Sequence, residues 1–409
     1  MKEWEAVAAG WDGRCATIGR VSMSVGVEER RARLGRRHHL ARAAAEVETV
    51  AGDLVGLHSR DPATVFLSAR ARVGGFGIAD LEDALYERRS LVRVLAMRRT
   101  MFVAPRDLAA VMHVAATQPL GPAERRRTLA MLDGVVDGDP DAWLDDLMER
   151  TERALAARGE ATAAELAADV PDLALKISFG AGTRWAGTMA VSARVLQLLG
   201  IEGRVVRARP RGSWLSGQYR WARVADWLGG GLPARERGDA AVELARRWLR
   251  SYGPATEVDL AWWAKWTKRE TREVLAAVEA VAVELDGAAG FVLPDDTGSE
   301  EPVGPWVALL PGLDPSVMGW KERDWFLGPH GAALFDRNGN AGPTVWVSGR
   351  IVGGWAQRPG GAVVARLLEP IGSEAEAMVE VEAERLTAWL DGVVVTPRFR
   401  SPLEREMAG

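Results

Sequence analysis

Apolar residues recur at helical spacing through Ala241, Leu244, Ala245, Trp248, Leu249 and Tyr252, which predicts an amphipathic helix. Gly253 ends that run, and Thr256 and Asp259 then stand three apart with Leu260 behind them. This is capping-box spacing, so a second, capped helix follows. Residues 271–281 carry a third helical pattern, and two short apolar runs (281–285 and 290–293) flank Asp286-Gly287 as a hairpin. Helix, capped helix, helix and hairpin is the plan of a winged helix.

The same order occurs twice earlier in the chain. Gly159 precedes Thr162 and Glu165 at the same capping spacing, ahead of a helical pattern over 189–199 and strand-like runs at 204–208 and 218–224. Gly77-Ile78-Ala79-Asp80-Leu81 is a copy without the threonine, followed by runs at 91–95 and 100–103 around Met97-Arg98-Arg99. From residue 308 the pattern changes to glycine-rich, strand-like runs, with a hairpin signal at Ser348-Gly349 and one late helix over 375–390. The expected fold class is therefore α+β: three tandem winged-helix modules with a small β-rich C-terminal domain. The expected boundaries are an N-terminal extension over 1–28, modules over 29–120, 140–228 and 236–300, and the β-rich domain over 305–398.

Length and composition agree with this division. At 409 residues the chain exceeds one compact core, and 47% hydrophobic with 26% charged residues is ordinary globular composition. No apolar run reaches the roughly 18 residues of a membrane span, and the opening twenty residues lack the apolar core of a signal peptide. The single Cys15 excludes an internal disulfide and a cysteine-built zinc site, so a reducing, cytoplasmic setting is expected. No metal or nucleotide fingerprint is present, and no cofactor is expected.

Charge distribution changes the picture more than net charge does. The formal charge of −4 speaks against a polyanionic partner, yet all but five of the 52 basic residues are arginine. Six arginines fall without an acid in each of 30–42 and 88–106; six more fall in 204–223, interleaved with Trp214, Tyr219 and Trp221. Any one such run reads as a solvated face. Three on one modular scaffold point to a phosphate-binding surface of forked donors. Arg36, Arg37, Arg60, Arg98, Arg99, Arg209, Arg211, Trp214 and Arg220 are the candidate nucleic-acid-binding residues.

Several stretches, in this order, carry a resemblance: Gly56-Leu57-His58-Ser59-Arg60-Asp61-Pro62, Met97-Arg98-Arg99-Thr100, Leu196-Gln197-Leu198-Leu199-Gly200, the segment Arg209–Trp221, Leu310-Pro311-Gly312-Leu313-Asp314-Pro315 and Val347-Ser348-Gly349-Arg350-Ile351-Val352-Gly353. Over roughly residues 30–395 the chain resembles the bacterial winged-helix DNA glycosylases typified by AlkZ and YcaQ. The resemblance implies an enzyme that excises alkylated purines, bulky N7 adducts among them, from damaged duplex DNA, and the chain is expected to act as a monomer. It also implies a Gln-x-Gln or Gln-x-Asp pair, and at those positions this chain carries His58 and Arg60.

The chemistry asked of that loop is modest. An N7-alkylated purine is already cationic and leaves readily, so the enzyme must stabilise an oxocarbenium-like sugar and orient a water. Neutral His58 can accept from water and Asp61 supplies negative charge, which makes them the catalytic candidates. Arg60 is no base, but it can hold a flanking phosphate. Simpler readings stand beside these: His58 as a structural histidine, and Asp61-Pro62 as a helix cap. A DNA-binding or regulatory protein without catalysis is the rival function, and a protein that merely inherited the fold is a third.

Overall fold

The computed structural model describes residues 23–180 and 182–409; Cys15 and most of the expected N-terminal extension lie outside them. The chain is mixed α/β and divides into two compact units. The central unit comprises Gly56–Phe66 and Gly75–Ala241; the outer unit comprises residues 23–55, Leu67–Gly74 and Val242–Gly409.

In the central unit, β1 (Leu57–His58), β2 (Leu91–Leu95) and β3 (Met101–Pro105) form an antiparallel sheet in the order β1-β3-β2. Gly56, at φ +93°, feeds β1, and a Cβ there would come within 2.9 Å of Met112 Cε. The register sets Leu57 opposite Val103 and Val103 opposite Arg93, while His58 lies opposite Phe102. Strands β2 and β3 turn through Arg98 and Arg99, both left-handed at φ 53° and 58°. Each such non-glycine residue costs on the order of 1 kcal/mol.

Downstream, the helices Pro140–Arg158, Ala163–Asp169 and Ser192–Ile201 bury Leu144, Leu147, Leu155, Leu166, Val195 and Leu199 in a common core. The capping box at the second of these helices forms as its spacing requires: Thr162 Oγ1 accepts from Glu165 N at 3.2 Å, and the Glu165 carboxylate accepts from Thr162 N at 2.7 Å. Strands β4 (Glu160–Ala161), β5 (Lys176–Phe179), β6 (Gly187–Ala190), β7 (Val205–Pro210) and β8 (Tyr219–Arg223) make a three-stranded sheet, β4-β8-β7, and a separate β5–β6 hairpin. That hairpin departs from the sequence reading. Met189 and Ala190 open no helix; they pair with Ile177 and Lys176, and the helix begins at Ser192.

In the outer unit, β9 (Val281–Leu285) and β10 (Ala288–Val292) form the expected hairpin around Asp286-Gly287. It follows the helices Arg237–Tyr252, Glu257–Ala264 and Lys268–Ala277, the second capped by Thr256 and Asp259. Trp248 and Trp263 are buried with their rings 5.9 Å apart, so both are core residues. Strands β11 (Val307–Leu310), β12 (Thr344–Val347), β13 (Arg350–Gln357) and β14 (Val363–Leu367) form an antiparallel meander backed by the helix Ser373–Leu390. Among the described residues no helix is long and apolar enough to cross a membrane.

A fully buried ion pair pins the outer unit. Arg72 and Asp314 are both 0% exposed. Arg72 Nη1 and Nη2 donate to the two carboxylate oxygens at 2.9 and 2.7 Å. The remaining guanidinium N–H groups go to the carbonyls of His38 (3.0 Å) and Ser68 (2.8 Å) and to Ser316 Oγ (2.8 Å). Ser316 also meets His38 Nδ1 at 2.7 Å. A buried charge is tolerable when it is paired and every donor is met, and here every donor is met.

Candidate active site and nucleic-acid interface

Pleating decides where the loop after β1 sends its side chains. Residues opposite one another share a sheet face and neighbours along a strand alternate, so Leu57, Ser59 and Arg93 face one way and His58 the other. Ser59 continues the strand by donating its N–H to Met101 O at 2.7 Å. Asp61 then caps the helix Pro62–Arg70, its Oδ1 accepting from Ala63 N at 3.2 Å. Proline at the first helical position needs no donor, which is why Asp-Pro starts a helix here.

His58 lies against Phe102, ring centroids 5.3 Å apart, and is 4% exposed. Its Nε2 is 3.4 Å from Thr100 Oγ1, and its buried Nδ1 meets no hydrogen-bond partner. Burial, aided by Arg98 and Arg60, pushes its pKa down to about 3, so the imidazole is neutral at ordinary pH. Arg98 and Arg60 are thus near enough to His58 to act on its charge. Asp61 is half-buried and Arg60 exposed.

On the other face, Arg93 lies 4% exposed in the middle of β2. Its Nη1 donates to Ser59 Oγ, its Nη2 donates to Tyr86 OH at 3.2 Å, and the guanidinium stands 4.9 Å from the Tyr219 ring centroid. Arg93 Nε and Tyr219 OH are buried without partners. Asp61 and Arg207 act on the Tyr219 hydroxyl as well. Arg93, Tyr86 and Tyr219 were not among the candidates read from sequence. A signal existed: Leu91-Val92-Arg93-Val94-Leu95 is a strand apolar on both faces with one charge at its centre.

The other candidates separate into two groups. Arg36 pairs with Glu300; Arg37 holds Asp296 Oδ1 at 2.8 Å and also donates to the Gly253 carbonyl at 3.1 Å. Arg99 pairs with buried Glu124 at 3.1 Å, and Arg209 with Glu87 at 2.7 Å and Glu82 at 3.2 Å. Trp214 is buried against Phe66, ring centroids 5.1 Å apart, so its face is turned inward. Arg211 and Arg220, by contrast, form no ion pair among the described residues, though both act on Glu165 from nearby. The β5–β6 hairpin adds a pair missed in the sequence: Trp185, 61% exposed, with Arg184 4.9 Å from its ring. No group of three or more metal-ligating side chains is assembled among the described residues.

The loop 58–61 thus carries a buried, neutral imidazole and a half-buried carboxylate, with Arg98 and Arg60 acting on the imidazole. The family model of the AlkZ-like DNA glycosylases matches residues 51–389. The chain belongs to this family. Membership gives this AlkZ-like protein a DNA glycosylase role in DNA repair, with DNA as its substrate. Its fold is similar to that of the Streptomyces sahachiroi DNA glycosylase AlkZ, with a TM-score of 0.70 at 22% identity, over 92% of this chain and 99% of that one. No curated protein matches the chain in sequence.

Proposed function

We propose that the protein is a monofunctional glycosylase for alkylated or bulky N7-modified purines, acting as a monomer on damaged duplex DNA in the cytoplasm. Base-excision repair is its setting, self-protection from a genotoxin included. Its helices and hairpins are read as three winged-helix modules over 29–120, 140–228 and 236–300, with the β-rich domain over 305–398.

In the reaction, the C1′–N9 bond breaks with its electron pair going to the purine, which leaves as a neutral base because the N7 adduct made it cationic. Water attacks C1′, its oxygen forms the new bond, and its proton passes to Asp61. The Asp61 carboxylate also offsets the positive charge on the sugar. His58, neutral at ordinary pH, supplies a hydrogen-bonding edge that orients the water rather than a resting proton store. Arg60, Arg98, Arg211 and Arg220 take flanking phosphates, and Trp185 with Arg184 supplies an exposed aromatic surface for a base.

The observation that carries this reading is the β1 loop itself. It carries Asp61 in the same short segment as a buried imidazole whose Nδ1 has no partner, and Arg60 and Arg98 are near enough to act on that imidazole, which supports the reading. A second reading, DNA binding without excision, is favoured by the depth of His58, which is 4% exposed. Incubation with a 7-methylguanine duplex and mass-spectrometric detection of free base separates the two. Free 7-methylguanine supports the glycosylase; duplex binding with no released base supports the rival. Binding that does not weaken as salt rises overturns both, since phosphate contacts impose a salt slope.

A further inference from the structure

Arg93 is a buried cation without a counter-ion. It is 4% exposed, forms no ion pair among the described residues, and spends its hydrogen bonds on two neutral hydroxyls, Ser59 Oγ and Tyr86 OH. Tyr219 cannot serve as its anion, because burial pushes that hydroxyl above its ordinary value and keeps it a phenol. The chain has three tyrosines, and two of them close around this one guanidinium. For stability alone the arrangement is poor: an apolar side chain of similar volume would remove the desolvation cost of the charge.

What the arrangement does accomplish is geometric. Two strand spacings of about 4.8 Å separate the β2 and β1 backbones, and Arg93 reaches across β3 on their shared face to Ser59. Ser59 lies between His58 and Arg60 and two residues before Asp61, so its side chain is the handle of the loop that carries all three. We propose that Arg93 is the positioning residue of this site: through Ser59 it fixes the 58–61 loop and so aims Asp61 and His58. The proposal rests on the site reading above. Arg93 itself touches neither base nor sugar.

The test uses the full chain with Arg93→Met and Arg93→Lys, read by single-turnover base release, duplex affinity, thermal unfolding and amide hydrogen exchange. Arg93→Met is expected to melt at or above the wild-type temperature and to bind duplex with unchanged Kd. Its loop amides at 58–61 exchange faster, and base release slows roughly 10- to 100-fold, the scale of a misplaced reacting group. Arg93→Lys keeps a charged donor on a shorter-reaching head group and recovers part of the rate. Should Arg93→Met fail to fold, Ser59→Ala, which deletes only the acceptor, is expected to give the same loop-confined change. Unchanged loop exchange with an unchanged rate overturns the proposal. So does a rise in exchange throughout the central unit, in step with lost stability and with no recovery by lysine. If the wild type releases no base, the site reading fails, and hydrogen exchange alone still decides whether Arg93 holds the loop.

Discussion

Two buried arginines, one in each unit, show how differently the same side chain is used. Arg72 in the outer unit is saturated: two bonds to Asp314, two to carbonyls and one to Ser316. Arg93 in the central unit has two hydroxyls, one aromatic face and a buried Nε without a partner. The first is a structural clamp. The second is a charge kept where it is costly, beside the loop with the candidate chemistry. The contrast extends outward: Arg36 and Arg37 in the outer unit are closed by Glu300 and Asp296, while Arg211 and Arg220 in the central unit form no ion pair among the described residues.

Acid sharpens the comparison most, because both units bury neutral histidines. Burial pushes His38 well below its ordinary 6.5, His58 down to about 3 and His113 down to about 4. Each is unprotonated in the folded chain while the unfolded chain binds a proton below about 6.5. Stability from this source is therefore complete above 6.5 and lost as pH falls from there toward the folded values. The loss is about 1.4 kcal/mol per pH unit for each histidine. Urea unfolding from pH 8 to pH 5 should be flat above 7 and steep below 6.5, and His38→Gln should remove one histidine's share of the slope. An unchanged slope in that variant would place the titration elsewhere.

Breaking the clamp is the next largest effect. Asp314→Ala leaves Arg72 buried and unpaired and is expected to cost about 3–5 kcal/mol of unfolding free energy. A loss within 1 kcal/mol would mean water reaches the guanidinium, and the distinction between the two arginines would weaken. Surface arginines follow. Arg211→Gln and Arg220→Gln should each lower the slope of log binding constant against log salt by about 1. Arg36→Gln should leave that slope unchanged, since its charge is already spent on Glu300.

Much of the local architecture was legible because it is encoded within a few residues. Thr162 with Glu165 and Thr256 with Asp259 form the bonds their spacing requires, and Asp286-Gly287 and Ser348-Gly349 turn between paired strands. The β5–β6 hairpin was not legible, because Gly187-Thr188-Met189-Ala190 has weak strand propensity and acquires its conformation from Lys176–Phe179. Partnerships over long separations were hidden for a related reason. Nothing local couples Arg72 to Asp314, 242 residues away, or tells that Arg36 and Arg37 will meet carboxylates more than 250 residues downstream. At the site, the loop 58–61 could be singled out by its resemblance to the family's Gln-x-Gln segment, whereas the burial of His58 and the grip of Arg93 on Ser59 depend on the pairing of β1, β3 and β2.

On the proposed function, the loop after β1 performs the excision, with Asp61 as its charged group. Single-turnover release of 7-methylguanine from a duplex by wild type and Asp61→Asn, at saturating enzyme, tests it most directly. Asparagine keeps an oxygen to cap the helix while removing the charge, so folding and duplex affinity should hold. The rate should fall about 100-fold or more, the scale of losing one electrostatic stabiliser of the transition state. An Asp61→Asn enzyme that releases base at the wild-type rate would contradict the account and place the chemistry elsewhere in the chain.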